Sequence, residues 1–255
     1  MLFDTHTHLN DPKLYADLDN VLARAKAAGV EKMAVVGYDW PSSLMSVRLA
    51  EKYAGTIWAI VGIHPYDADS WNKELAAKLQ SLAAEKSVVA VGEMGLDYYR
   101  DICSKEDQQK AFVAQIELAK AVKKPIVIHD RDAHGDVLKI LKQQKAGENG
   151  GILHCFSGSV EMAKECVKIG FYISFAGPVT YQNAKNLQHA AKQIPLENIL
   201  VETDCPYLSP HPYRGKINEP ARVALVAAKI AEIKNIDVEE VEKVTTDNAL
   251  RLFSL

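Results

Sequence analysis

The chain has 255 residues, of which 48% are hydrophobic and 25% charged, and 33 acidic against 30 basic residues give it a net charge of −3. This composition is typical of a globular protein, and it excludes a disordered chain, a coiled coil and a disulfide-rich miniprotein. The acidic balance also excludes binding of long duplex DNA through a global basic field, so any nucleic-acid phosphates must be bound locally.

The cysteines and the apolar segments of the sequence indicate the cellular compartment in which the protein is expected. None of the four cysteines forms a C-x-x-C pair, which argues against a zinc ribbon or a thioredoxin-type site. Residues 1–4 carry an acid where a secretory signal would be basic, and no apolar run approaches the roughly 20 residues of a membrane span. We therefore expect a cytoplasmic protein that does not enter a membrane.

Short β-branched, apolar segments alternate with longer amphipathic segments along the whole chain. The strands are predicted to begin near Leu2, Lys32, Ile57, Val88, Pro125, Gly151, Phe171 and Asn198. Helical periodicity covers residues 18–28, 73–84, 108–122 and 219–233, and a last helix is predicted over residues 237–252. The polar stretch 143–150 is typical of a surface loop between a helix and a strand.

This alternation indicates an α/β protein with a parallel sheet. Eight strand–helix units in a chain of this length match a (β/α)8 TIM barrel. The competing fold is an open doubly wound sheet, which usually needs fewer strands, and no glycine-rich dinucleotide fingerprint follows the first strand. We predict one TIM-barrel domain that spans residues 1–255.

Residues that can bind a metal follow several of the predicted strands. His6 and His8 lie two apart on the first strand, so their side chains share a face. The other candidates end later strands: Glu93 the fourth, His129 the fifth, His154 the sixth and Asp204 the eighth. Any one of them alone is compatible with a buried structural role. Because the carboxyl ends of barrel strands converge on one mouth, their coincidence predicts a shared metal site.

The ligand types narrow the choice of metal. Imidazole and carboxylate groups without a thiolate suit zinc, manganese, iron or nickel, and magnesium at carboxylate-rich positions. Six ligands are too many for one tetrahedral ion with an open position, so we predict two divalent ions (Mg²⁺, Mn²⁺ or Zn²⁺) bridged by Glu93. The positive charge of two such ions would exceed the negative charge of two carboxylates and a hydroxide. The surplus positive charge would attract a phosphate.

Six motifs together resemble one known family. They are DTHTHL at 4–9, GIHP at 62–65, GEMGLDYY at 92–99, HDR at 129–131, HCFSG at 154–158 and ETDCPYL at 202–208. In this order the chain resembles the TatD family of metal-dependent deoxyribonucleases, which is similar to the wider amidohydrolase superfamily. The resemblance implies a TIM barrel, a divalent-metal 3′–5′ exonuclease acting on DNA, and metal ligands at the same six positions.

The expected reaction is hydrolysis of a phosphodiester by a water that two metal ions activate as hydroxide. Asp204 is expected to serve both as a ligand and as the proton acceptor, and Glu93 as a catalytic ligand. The expected substrate is DNA, single-stranded or at its 3′ ends. We expect no membrane association and no obligate protein partner.

Other residues near the mouth are weaker candidates for substrate binding. His64 follows the third strand and is a candidate to hold a phosphate or a third ion, while Arg131 and Arg214 are candidates to bind phosphates. Tyr98 and Phe156 are candidates to stack on bases. Each has an alternative role in loop packing or surface ion pairing. Glu202 shares the strand parity of Asp204 but has no assigned role.

Two alternative functions stay open at this stage. An amidohydrolase-type enzyme could use the same metals on a small amide, lactone or phosphoester, although such enzymes often carry a carbamylated lysine on the fourth strand, where this chain has Glu93. A metal-binding protein without catalysis would keep all the ligands but leave no coordination position open.

Overall fold

Eight parallel strands form a single closed sheet in the computed structural model, which describes all 255 residues. The strands are β1 (Leu2–Thr7), β2 (Val30–Val36), β3 (Ile57–Val61), β4 (Val88–Asp97), β5 (Ile126–Arg131), β6 (Gly151–Leu153), β7 (Phe171–Phe175) and β8 (Ile199–Val201). Each strand pairs in parallel with the next one along the chain. All eight predicted strands are present, and their first residues lie within two positions of the predicted ones.

The sheet closes where the chain leaves β8 and runs beside β1. Thr7 and Cys205 form a parallel bridge. The backbone N–H of Asp204 donates to the carbonyl of His6 at 2.9 Å, and the N–H of His8 donates to the carbonyl of Cys205 at 2.8 Å. The predicted TIM barrel is therefore confirmed, and the closure excludes the open sheet.

Helices follow the strands and surround the barrel. They are α1 (Pro12–Tyr15), α2 (Leu18–Ala27), α3 (Trp40–Lys52), α4 (Lys73–Ala83), α5 (Lys105–Val122), α6 (His134–Gln143), α7 (Val160–Lys168), α8 (Lys185–Gln193), α9 (Val223–Lys234) and α10 (Val238–Phe253). All five predicted helices are present. The start of α5 lies three residues before the predicted one, because Ser104 caps the helix by accepting from the N–H of Asp107.

Two boundaries differ from the sequence prediction for local reasons. Helix α9 begins at Val223 rather than at residue 219, because residues Pro220–Arg222 first form a 3₁₀ turn. The predicted loop 143–150 contains the last residue of α6. It also contains one 3₁₀ turn, Ala146–Asn149, before β6 begins.

The apolar core has two layers. The larger one lies between the sheet and the helices. The smaller one lies inside the barrel, where side chains from all the strands meet. Its strand residues are Phe3, Ala34, Val36, Ile60, Val89, Ala90, Val127, Ile152 and Leu200, with Tyr172 of β7 packed against them. This packed interior leaves the carboxyl ends of the strands as the place for polar groups. None of the ten helices combines the length and the hydropathy that a membrane-spanning helix needs. The four cysteines are free.

Candidate metal centre

The six predicted metal ligands lie together at the carboxyl ends of the strands. Glu93 is in the middle of them, and its two carboxylate oxygens face different histidines. Oε2 lies 3.4 Å from Nε2 of His6. Oε1 lies 2.9 Å from Nδ1 of His129 and 2.8 Å from Nε2 of His154. One carboxylate therefore joins two groups of donors, as the sequence prediction of a bridging Glu93 requires.

The first group consists of His6, His8, Asp204 and Oε2 of Glu93. Nε2 of His6 and Nε2 of His8 are 3.3 Å apart. Oδ1 of Asp204 lies 3.3 Å from His8 and 3.7 Å from His6, and Oε2 of Glu93 lies 3.8 Å from His8. Ligands about 2.1 Å from a tetrahedral ion are separated by about 3.4 Å. The donors thus fit a divalent ion in both type and spacing.

The second group consists of Oε1 of Glu93, His129 and His154. The far ring nitrogens of both histidines bind buried carboxyl groups: Nε2 of His129 donates to Asp97 at 3.0 Å, and Nδ1 of His154 donates to Glu202 at 3.2 Å. A carboxylate on the far nitrogen fixes the tautomer and orients the ring. The near nitrogens of both rings therefore point at Oε1 of Glu93 and donate to it in the absence of an ion. With those protons lost, the same two nitrogens and Oε1 would hold a second ion.

The two histidines of β1 are oriented differently. Nδ1 of His8 donates to the carbonyl of Val36 at 3.1 Å, so Nε2 is the nitrogen that would bind an ion. Nδ1 of His6 is buried and has no hydrogen-bond partner. The ring of His6 is held instead by stacking on His154, with the centroids 4.0 Å apart.

Close approach of β4 and β5 brings Glu93 against the histidines. Gly95 has a φ of +142°, and a Cβ at this position would lie 2.0 Å from the carbonyl oxygen of His129. A Cβ on Gly92 would lie 2.6 Å from the carbonyl oxygen of Val127. The two glycines that flank Glu93 are thus required for the strands to pass this close.

The carboxylates of the centre are held in their charged form. Burial raises the pKa of Glu93, but the charge of His154 and hydrogen bonds from His129 and His154 outweigh it, so the pKa lies well below its usual range. Burial likewise raises the pKa of Asp204, and the hydrogen bond with His8 and the charge of His6 bring it below its usual value. Both groups are available as anionic ligands.

His64 differs from the other histidines in its tautomer. Its Nδ1 accepts a hydrogen bond from the backbone N–H of Tyr66 at 3.1 Å. Burial and the charge of His129 lower its pKa to about 3, so the ring is neutral and its proton lies on Nε2. That N–H lies 3.7 Å from Oε1 of Glu93. This N–H is a hydrogen-bond donor that faces the centre, as the predicted contact with a phosphate requires. Nε2 of His64 also lies close enough to Glu93 and His129 for the three side chains to hold an ion.

The sequence prediction missed Asp97 and gave Glu202 no role. Oδ2 of Asp97 accepts from the hydroxyl of Tyr66 at 2.8 Å as well as from His129. Glu202 accepts from Ser174 at 2.5 Å and from the N–H of Cys155 at 2.7 Å, besides His154. Strand parity was the available indication, since Asp97 has the parity of Glu93 and Glu202 that of Asp204.

Asp97 changes the charge argument made from the sequence, which counted only Glu93, Asp204 and a hydroxide. Burial raises the pKa of Asp97, but hydrogen bonds from His129 and from the N–H of Arg100 outweigh it, so the pKa lies below its usual value and Asp97 is a third ionised carboxylate. Three carboxylates and a hydroxide balance two divalent ions, and no surplus positive charge remains at the centre. Attraction for a phosphate must then come from cations in the surrounding loops.

The weaker candidates are placed in different surroundings. The ring of Phe156 is buried, 5% exposed, against Phe175, so it has no face for a nucleotide base, and the prediction of base stacking there is corrected. The hydroxyl of Tyr98 donates to Asp136 of α6 and accepts from Gln109 of α5, away from the metal ligands.

The two arginine candidates are exposed and pack on aromatic rings. Arg131 lies over the ring of Tyr99 at 3.9 Å, and Arg214 lies over the ring of Tyr181 at 4.5 Å. Neither has a carboxylate within 4.0 Å. Their guanidinium groups are therefore not neutralised by ion pairs.

We expect the substitution Asp97→Asn to weaken metal binding and activity by about 10- to 100-fold, the usual cost of losing a carboxylate behind a metal-binding histidine. Both oxygens of Asp97 accept hydrogen bonds, Oδ1 from the N–H groups of Tyr99 and Arg100 and Oδ2 from Tyr66 and His129. An Asn side chain must turn its NH₂ group toward one of these sets of donors. Metal titration and kcat measure the effect.

The matched control is Tyr66→Phe, which removes another donor to Oδ2 of Asp97 but leaves His129 in contact with it. Its effect should be much smaller than that of Asp97→Asn. Equal effects of the two substitutions, or none from Asp97→Asn, would show that Asp97 does not position His129.

Comparisons with known proteins show which family this chain is similar to. The family model described as "TatD related DNase" matches residues 3–254. The "Uncharacterized metal-dependent hydrolase YabD" of Bacillus subtilis is 50% identical and covers 100% of both chains. The "3'-5' ssDNA/RNA exonuclease TatD" of Klebsiella pneumoniae is 36% identical and covers 100% of this chain and 98% of that protein. The crystal structure of the TatD homologue YjjV from Escherichia coli K12 matches with a TM-score of 0.93 and 32% identity, over 100% of this chain and 98% of that one. The chain therefore belongs to the TatD family of metal-dependent hydrolases.

Proposed function

We propose that this chain hydrolyses phosphodiester bonds and removes nucleotides from the 3′ end of single-stranded DNA, with two divalent metal ions as cofactors. The observation that carries the proposal is the position of Glu93, whose two oxygens face two separate groups of donors. Two ions held by these two groups would supply the charge stabilisation that many enzymes use to displace an oxygen from phosphorus. The exonuclease name of the Klebsiella pneumoniae relative supports the same reaction class.

The residues present fit the two ions. His6, His8, Glu93 and Asp204 would hold the first, and the second would be held by Glu93 together with the histidines of β5 and β6, His129 and His154. When bound, such ions lower the pKa of water and stabilise the negative charge that develops on a phosphoryl group. Nitrogen and carboxylate donors without a thiolate suit Zn²⁺, Mn²⁺ or Mg²⁺.

The side chains around the ions have separate tasks. Asp204 is ionised and 13% exposed, which makes it the most accessible carboxylate to take a proton from an attacking water. The Nε2–H of His64 faces the centre and is placed to donate to a phosphate oxygen. The carboxyl groups of Asp97 and Glu202 bind the far ring nitrogens of His129 and His154 and so keep the near nitrogens directed inward, where they would bind an ion.

The proposal is tested with short single-stranded DNA labelled at its 5′ end. Purified protein is stripped of metal and then supplied with Mg²⁺, Mn²⁺ or Zn²⁺, and Glu93→Ala serves as the control for contaminating nucleases. We expect a ladder that shortens from the 3′ end, depends on added metal and is absent with the variant. Intact DNA with every ion, combined with hydrolysis of a small amide, lactone or phosphoester, would favour a small-molecule hydrolase instead.

A further inference from the structure

Exposed apolar side chains are concentrated at the mouth of the barrel. Six of the nine large ones lie in the loops that follow β4 and β8: Tyr99, Ile102, Tyr207, Leu208, Tyr213 and Ile217. Loops at the carboxyl ends of barrel strands surround the active site. A cluster of exposed apolar groups on a globular protein marks an interaction surface rather than ordinary packing.

Each of the three exposed rings at this mouth, Tyr99, Tyr207 and Tyr213, carries a cation. Arg222 lies over Tyr213 at 4.3 Å and Lys13 lies over Tyr207 at 5.5 Å, in the same way that Arg131 and Arg214 lie over their rings. Neither Arg222 nor Lys13 has a carboxylate within 4.0 Å. The surface thus pairs aromatic faces with positive charges that form no ion pair, and the acid in contact with these rings is Asp11, which accepts from the hydroxyl of Tyr207 at 3.2 Å.

The larger part of this surface lies on the loop of residues 205–219, which we call the β8 loop. It begins directly after Asp204, and the ring of Tyr207 lies 6.1 Å from the ring of His8. The loop is therefore continuous with the metal centre. Because the buried carboxylates leave the centre without a surplus of positive charge, the cations of this loop are the local source of attraction for phosphates.

Hydrogen bonds hold the β8 loop in one conformation. Ser209 donates to the carbonyl of Lys216 at 2.6 Å, and its own carbonyl accepts from the hydroxyl of Tyr181 at 2.9 Å. At the far end, Arg222 donates to the carbonyl of Ile217 at 2.6 Å and Asn218 donates to the carbonyl of Thr203 at 2.9 Å. A surface that is already ordered loses little conformational entropy when it binds a ligand.

We propose that the β8 loop binds the nucleotides of a single-stranded nucleic acid that lie beyond the bond being cleaved. Bases stack on Tyr207 and Tyr213, and Arg214 and Lys216 contact the phosphates between them. Only unpaired bases present a free face to an aromatic ring, so the loop selects single strands over duplexes. This inference rests on the proposed function, because it names how the same site holds its substrate.

Binding and cleavage are measured separately to test this. The probe is a fluorescein-labelled dT12 with phosphorothioate linkages, which resists hydrolysis, and its binding to the metal-loaded protein is followed by fluorescence anisotropy. We expect Tyr213→Ala to weaken binding by about 5- to 150-fold, the cost of one lost base–aromatic stack. Tyr213→Phe keeps the ring and should bind nearly as well as the wild type. Arg214→Ala should reduce the slope of log affinity against log salt by about 0.7, the value for one phosphate contact with a single strand.

The control for charge is Lys243→Ala on α10. This helix lies at the opposite end of the barrel, where Thr246 donates to the carbonyl of Met1, and Lys243 is exposed. It should leave both affinity and salt slope unchanged. The inference is overturned by any of three results. The wild type does not bind the probe, it binds a duplex of the same length equally well, or the Tyr213→Ala variant binds the probe as tightly as the wild type does. Normal binding by the loop without cleavage of unmodified DNA would count against the phosphodiesterase proposal alone.

Discussion

Replacing Glu93 by Gln is expected to abolish most of the activity and to lower the metal content from two ions per chain to one or none. Glu93 is the only residue that reaches both donor groups, with Oε2 near His6 and Oε1 near His129 and His154. A Gln amide has the same shape but offers one oxygen, so one group loses its carboxylate. Loss of several kcal/mol of charge stabilisation corresponds to a fall in kcat of about 1,000-fold or more.

The measurement combines metal analysis of the purified variant with kcat on single-stranded DNA. Glu240→Gln is the matched control, because Glu240 is exposed on α10 and has no ion pair. Its metal content and activity should equal those of the wild type. If Glu93→Gln kept two ions per chain and its activity, the bridging role would be wrong.

The fold was predictable because each strand is a short apolar run with a polar boundary. Runs such as residues 33–36 are buried on both faces, so they stand out in the sequence. Helix ends were less accurate where local groups decide them, as with the Ser104 cap of α5 and the 3₁₀ turn before α9. Closure of β8 onto β1 depends on hydrogen bonds that only the assembled barrel shows.

The six candidate ligands could be found because position at a strand end predicts convergence on the mouth. Asp97 could not be assigned in the same way. Its role depends on the distance between its side chain and the far nitrogen of His129, which belongs to a neighbouring strand. The aromatic residues were ambiguous for a related reason: of two adjacent tyrosines, Tyr98 turns toward α5 and α6, while Tyr99 is 60% exposed.

Replacing Asp204 by Asn is expected to reduce kcat far more than metal content. The substitution is conformationally mild, because residue 204 has a φ of +55° and Asn tolerates this left-handed region. Its amide oxygen can still face His8, where Oδ1 of Asp204 lies at 3.3 Å. An amide cannot accept the proton of an attacking water, however, and the loss of a general base lowers kcat by about 100- to 10,000-fold.

The chain offers a closely matched control for this experiment. Asp132 also has a left-handed backbone, with a φ of +54°, and it is exposed at the end of β5. Asp132→Asn should therefore retain normal kcat and metal content, which separates the chemistry of residue 204 from any effect of the substitution on a left-handed turn. Full activity of Asp204→Asn would assign the proton to another acceptor. A loss of metal in proportion to activity would instead make Asp204 a ligand only, because the defect would then follow the ions and not the proton.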